Sequence, residues 1–229
     1  METVRSALQH MATLNNLNQW VYGAIKQHIG HRVLEAGCGN GNLTSFYLTK
    51  AQKVIALDND GFLLNELEKR HQTTKLSIFH HDLNLSLNFL SPEKLDTIIC
   101  LNTLEHIEND EKVLLNFHEI LTPNGKLILQ VPTLPWLYGS VDRAVGHYRR
   151  YSKDELKKLL EKSGFHSIQS HYFNVFGILG WFVNGKIMRK PYLSSALLSL
   201  FDNLLPAFSK LEKLMGPPIG LSLIAIAEK

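Results

Sequence analysis

Little in this sequence would build a secreted or membrane-spanning protein. Of its 229 residues only Cys38 and Cys100 are cysteines, too few and too far apart for a disulfide framework or a zinc-finger spacing. The expectation is two reduced thiols in a cytoplasmic protein. No apolar run approaches the ~18 residues that a membrane span needs. The closest, Phe173 to Val183 (FNVFGILGWFV), is too short and suits a core, a lid or a peripheral contact with a membrane surface. The N-terminus has no basic segment leading into an apolar run, so no signal peptide is expected. Excess charge of one sign is also lacking: 24 Lys and Arg face 21 Asp and Glu, a net +3. The basic residues lie in local clusters, not in a stripe, which argues against nucleic acid as a partner. There is no internal repeat and no low-complexity tract.

What is present is an alternation. Short apolar runs of β type occur at Val33-Leu34, Val54 to Leu57, Leu76 to Phe79, Ile98 to Leu101 and Leu127 to Val131. Helical-period stretches of crossover length lie between them. Such alternation predicts a parallel sheet with helices on both faces, and the unbroken apolar strands fit burial on both sides. Before Arg32, Leu14, Leu17, Val21, Ala24 and Ile25 fall at helical spacing. Ser152 and Glu155 form a capping box ahead of Leu156, Leu159 and Leu160, and Gly164 supplies the stop. Ile168 to Phe173 and the closing GLSLIAIAEK read as two further strands. The stretch between them is too long for a hairpin loop and is mostly apolar and helical in pattern.

The strongest local signal is RVLEAGCGNGNLT, residues 32–44. A buried strand runs into Glu35-Ala36-Gly37-Cys38-Gly39-Asn40-Gly41, and a helix follows. Glycines allow a tight turn and close backbone approach to a ligand, and the helix start offers unpaired N–H groups. A dinucleotide fingerprint would need G-x-G-x-x-G, but the residue three after Gly39 is Asn42. A Tyr22/Lys26 pair at dehydrogenase spacing precedes the loop instead of following it. Asp58, at the end of the next strand, could hold ribose hydroxyls in either kind of site.

Taken with the motifs that follow, this chain resembles the class I S-adenosylmethionine-dependent methyltransferases, from about Asn16 to Phe173 and again in the last strand. The resemblance implies a doubly wound, seven-stranded, mostly parallel Rossmann-like sheet with a helical insertion before the last strand. It implies one domain over 1–229: an N-terminal helical cap (1–31), a cofactor-binding core (32–173), a helical insertion or lid (174–218) and the last strand (219–229). S-adenosyl-L-methionine is the cofactor it implies. Glu35, Gly37, Cys38, Gly39 and Gly41 look like the loop around its methionine part. Asp58, with Asn59, looks like the ribose site, and Asp82, with Leu83, the adenine site. Asn102 ends a segment, 95–107, that looks like the fourth strand and the active-site wall.

Methyl transfer from a sulfonium is a direct displacement, so in-line positioning matters, with a base in some cases. Glu105 and His106 are the catalytic candidates, His106 because an imidazole titrates near neutrality. No catalytic metal is expected: catechol-type relatives carry an aspartate where Asn102 stands, and adjacent strand residues His80 and His81 point to opposite faces. GSVDRAVGHYRRYS, residues 139–152, offers His147, Tyr148, Arg149 and Arg150 as an acceptor-binding segment, since arginine grips carboxylate or phosphate in pairs of hydrogen bonds. The alternative is that these arginines pair with Asp142 and surface acids. The segment resembles a glycosyltransferase-associated subgroup, which implies a small, peptide- or carrier-linked acceptor methylated on oxygen or, less favoured, nitrogen. Two other readings stand beside it: a cofactor-binding regulatory subunit without turnover, and an NAD-dependent oxidoreductase.

Overall fold

The computed structural model describes residues 5, 11–191 and 194–229; the start of the expected N-terminal cap, residues 1–4 and 6–10, lies outside them. Seven strands form one sheet: β1 (Arg32–Ala36), β2 (Lys53–Asp58), β3 (Leu76–His80), β4 (Leu95–Leu101), β5 (Leu121–Pro132), β6 (His166–Phe173) and β7 (Ser222–Glu228). Their order is β3-β2-β1-β4-β5-β7-β6. The first five neighbours run parallel, and β7 lies antiparallel between β5 and β6. The order reverses between β1 and β4, and open α/β sheets bind ligands in the crevice beyond the strand ends at such a point.

Successive strand residues go to opposite faces, and here both faces are dry. Leu34, Ile55, Ile98 and Leu127 pack with Val113, Phe117, Leu156 and Leu160 in one core. Their neighbours Val33, Val54, Ile99 and Ile128 pack with Val21, Ile25 and Tyr47 in the other. Fully burying each such side chain contributes roughly 1.5–3 kcal/mol, so continuous apolar strands are what a doubly wound sheet requires.

The helices are α1 (Asn15–Ile25), α2 (Thr44–Lys50), α3 (Gly61–Arg70), α4 (Asp110–Ile120), α5 (Ser140–Val145), α6 (Lys153–Lys162), α7 (Gly177–Phe182) and α8 (Ser195–Met215). Helix α6 starts on the capping box read from the sequence: the Ser152 hydroxyl accepts from Glu155 N–H at 3.2 Å, and Glu155 Oε2 accepts from Ser152 N–H at 2.9 Å. Gly164, at φ 92°, turns the chain after it.

Helices α7 and α8 lie between β6 and β7, and two buried carboxylates fasten them to the rest. Helix α1 has no side-chain cap of its own. Asp202 of α8 supplies one, accepting from the N–H of Leu17 at 2.8 Å and of Asn16 at 3.3 Å. Glu212 accepts from the N–H of Asn174 at 2.8 Å and of Val175 at 2.7 Å, where the chain leaves β6. Phe176 stacks on Phe208 between the two helices, ring centroids 4.4 Å apart.

Candidate functional site

The glycine loop bridges β1 and α2 at the reversal of strand order. Gly37, Gly39 and Gly41 all have left-handed φ, at 75°, 55° and 78°, which glycine adopts without strain. Gly37 is also closed in: a Cβ there would collide with the Thr103 side chain, just past β4. The loop is anchored to β2, since Gly37 and Cys38 both donate to the Leu57 carbonyl. Asp58 Oδ2 accepts from Gly39 N–H at 2.8 Å, and its Oδ1 accepts from Asp60 N–H at 2.9 Å. Burial raises the Asp58 pKa, and these backbone bonds offset part of that.

Beneath the loop, Glu35 is buried and accepts a 2.5 Å bond from the Thr44 hydroxyl. Burial pushes its pKa up to about 8, the Thr44 bond notwithstanding. Glu35 therefore braces the start of α2 from below. Cys38 is buried, and Asn59 is exposed. Asp82, past β3, closes a turn on Asn84, accepting from its N–H and its side-chain amide at 2.9 Å each, with Leu83 buried beside it. Asn102 is exposed with φ 49°, a conformation that asparagine tolerates better than most residues. It donates its N–H to the Gln130 carbonyl at 2.8 Å. The expected cofactor residues thus lie at or just past the ends of β1, β2, β3 and β4.

On the far side of β4, Glu105 and His106 sit in a short turn, Leu104–His106. Glu105 is 1% exposed, and its Oε2 has no hydrogen-bond partner. Burial raises its pKa to about 8. His106 is shifted the other way, to about 4, by burial and then by the neighbouring His147. The imidazoles of His106 and His147 meet edge to face at 4.6 Å. The His147 segment is tied to this turn by its backbone, as Tyr148 N–H donates to the Glu105 carbonyl at 2.8 Å.

Asp142 organises the remainder of that segment from full burial. Its Oδ1 faces His147 Nδ1 at 3.0 Å and accepts from Arg150 Nε at 2.7 Å. Its Oδ2 accepts from Gly139 N–H at 2.9 Å and from Trp181 Nε1 at 3.2 Å. Burial alone would raise its pKa, but the His147 bond and the Arg150 charge win and leave it lowered.

These contacts correct the sequence reading of the arginines. Arg150 is inside the protein, held by Asp142 and the Thr133 carbonyl with its guanidinium 4.8 Å above the Trp181 ring. Arg149 bonds Asp110 at 2.8 Å and the Glu108 carbonyl at 2.7 Å. Neither offers an uncommitted fork to an acceptor anion; each pairs with an acid, as in the alternative read from the sequence, but Asp142 and Asp110 are buried and not at the surface. His147 does reach the Glu105–His106 turn, and Tyr148 is 54% exposed beside it. Neither Asp110 nor the bond from Trp181 to Asp142 was read from the sequence, since each acquires its role only from residues distant along the chain.

A sequence profile of the methyltransferase-domain family matches residues 4–170. A probable S-adenosylmethionine-dependent methyltransferase of Mycolicibacterium smegmatis is 27% identical over 157 residues, covering 65% of this chain and 60% of that protein. The ubiquinone biosynthesis O-methyltransferase of Coxiella burnetii is 25% identical over 51% of each chain. The matched part of the chain thus spans between half and two thirds of these relatives. A crystal structure of an S-adenosylmethionine-dependent methyltransferase from Mesorhizobium loti superposes with a TM-score of 0.66 at 17% identity, covering 94% of this chain and all of that one; at that identity the likeness is one of fold.

Proposed function

The chain belongs to the methyltransferase-domain family, and from that premise we propose that it transfers a methyl group from S-adenosyl-L-methionine to an oxygen, less readily a nitrogen, of a small, peptide- or carrier-linked acceptor. The observation that carries this reading is the left-handed glycine loop bonded to Asp58 at the reversal of strand order. The donor set suits the cofactor. Asp58 and Asp82 are acceptors for ribose hydroxyls and an adenine amino group: Asp58 spends one bond on each oxygen, and Asp82 spends both of its Asn84 bonds on Oδ1. Gly37 to Gly41 leave the backbone bare for the methionine part, with Asn59, Leu83 and Asn102 along the same rim. When bound, the cofactor supplies an activated methyl on a sulfonium. The protein's own task is to hold the acceptor atom in line and exclude water.

Glu105, His106 and His147 form the wall assigned to the acceptor. A histidine held near pKa 4 is neutral at physiological pH, but it is a weak base for an alcohol or phenol. Orientation of the acceptor suits His106 better than proton removal. The name of the Coxiella relative supports oxygen as the methylated atom.

The segment between β6 and β7 lies beyond the family match. It exposes Leu179 and Ile187 (71% and 63%) and Met188 beside Lys186, Arg189 and Lys190. Apolar side chains flanked by cations suit the surface of an anionic membrane, and we assign this edge to peripheral contact there, where a carrier-linked acceptor would be met. The test is to supply methyl-labelled cofactor with membrane lipid extract and with peptide pools. Label appearing in an alkali-labile ester or a stable ether of the lipid fraction supports the reading. Label only on amines would overturn oxygen, and no cofactor turnover on any fraction would count against the enzyme.

A further inference from the structure

We propose that Glu105, His106 and His147 form a binding site for one divalent transition-metal cation on the acceptor side of the crevice. A carboxylate oxygen and one nitrogen from each ring lie within 4.8 Å of one another. A tetrahedral cation with bonds of about 2.0–2.1 Å holds its ligands roughly 3.3 Å apart, so side-chain rotations alone could close the set.

Three features distinguish the trio from a chance cluster. First, Glu105 and His147 do not satisfy each other. His147 Nε2 lies 3.8 Å from Glu105 Oε1, beyond hydrogen-bond range, and the other Glu105 oxygen is buried with no partner. Second, His147 is prepared as a ligand. Asp142 is an ionised carboxylate that only accepts, so the ring proton belongs on Nδ1, facing Asp142 at 3.0 Å, and the Nε2 lone pair is turned toward Glu105. A histidine whose second nitrogen donates to a carboxylate is the usual support of a metal-bound imidazole. Third, the backbone fixes the two segments in register through the bond from Tyr148 N–H to the Glu105 carbonyl. Arg150 is the cation nearest this site along the network, and Asp142 neutralises it at 2.7 Å.

Two imidazoles and one carboxylate suit Zn²⁺, Co²⁺ or Fe²⁺, whereas Mg²⁺ and Ca²⁺ prefer oxygen. Three protein ligands leave a coordination position open, and there an acceptor oxygen or nitrogen would be held. Only this last step rests on the methyltransferase reading; the cation site itself does not. The expectation that no metal binds considered Asn102 and the His80–His81 pair, and neither belongs to this trio.

The test is a titration of the metal-stripped full chain with Co²⁺ and Zn²⁺, without cofactor or acceptor, followed by calorimetry and by the visible absorption of Co²⁺. One equivalent is expected to bind, with a low-symmetry Co²⁺ spectrum and little heat from Mg²⁺. Glu105→Gln and His147→Gln should each weaken binding roughly a hundred-fold, while His80→Gln and His81→Gln should leave it unchanged. If Glu105→Gln does not fold, the half-buried His106→Gln takes its place, with the melting temperature as the check. Absence of Co²⁺ binding, or affinity undiminished in the trio variants, would overturn the proposal. Binding of S-adenosylhomocysteine, measured separately, reports on the methyltransferase reading alone.

Discussion

The two ends of the crevice are made of different material. At the β1–β3 end the ligand-facing surface is backbone: three glycines in left-handed conformations, held by main-chain bonds to Leu57 and by one carboxylate, Asp58. At the β4–β5 end it is side chain: Glu105, His106 and His147, supported by Asp142, Arg150 and Trp181 in a buried polar network. Backbone recognition needs little beyond glycine and a strand end, so many sequences can build it. A buried charged network has to be satisfied group by group. The first end therefore suits the proposed cofactor site, and the second the proposed acceptor site.

That contrast can be broken most severely at Asp142. Removing it in Asp142→Ala leaves Arg150 charged, buried and unpaired, and chemical denaturation is expected to show a loss of about 3–5 kcal/mol. A loss under ~1 kcal/mol would mean that the network is not a folding element. Gly37→Val acts at the opposite end. Its Cβ would collide with Thr103 in a backbone conformation that valine avoids, and S-adenosylhomocysteine affinity should fall at least a hundred-fold, about 2.8 kcal/mol. A smaller change follows from Asp58→Ala, which should weaken cofactor binding by about 1.5–3 kcal/mol and leave the acceptor KM nearly unchanged. Equal effects on both ligands would erase the division of labour.

The mildest effect sharpens the electrostatics. The Glu105 carboxyl keeps its proton in the folded protein up to about pH 8, against an ordinary 4.5. The unfolded chain binds fewer protons in that window, so this contribution to stability is full below pH 4.5 and is lost as pH rises toward 8. His106, lowered from 6.5 to about 4, works in the opposite sense, losing stability as pH falls through that range. Between pH 6.5 and 8 only Glu105 of the two acts. Across it Glu105→Gln should gain about 1–2 kcal/mol relative to the parent, read from melting curves at each pH. Parallel profiles would place the glutamate in water.

The backbone-built end was legible from sequence because its determinants are local. Glu35 to Gly41 are consecutive, and Asp58 ends the next apolar run. The side-chain end was only half legible. The same loop holds Asp142, His147 and Arg150, but its arginines read as an acceptor clamp because nothing local says that Trp181 will cover Arg150 and Asp142. The Asp202 cap on α1 is invisible for the same reason: it joins residues from opposite ends of the chain. Burial of a charge is decided by what packs on it, and that is a property of the tertiary fold.

The most direct measurement on the central claim is calorimetric titration of the full chain with S-adenosylhomocysteine, and separately with NAD⁺, in the parent and in Gly37→Val. The account predicts saturable one-to-one binding of S-adenosylhomocysteine to the parent, loss of that binding in a folded Gly37→Val protein, and no heat from NAD⁺. Binding of NAD⁺ in preference, or S-adenosylhomocysteine affinity unaltered by the valine, would contradict it.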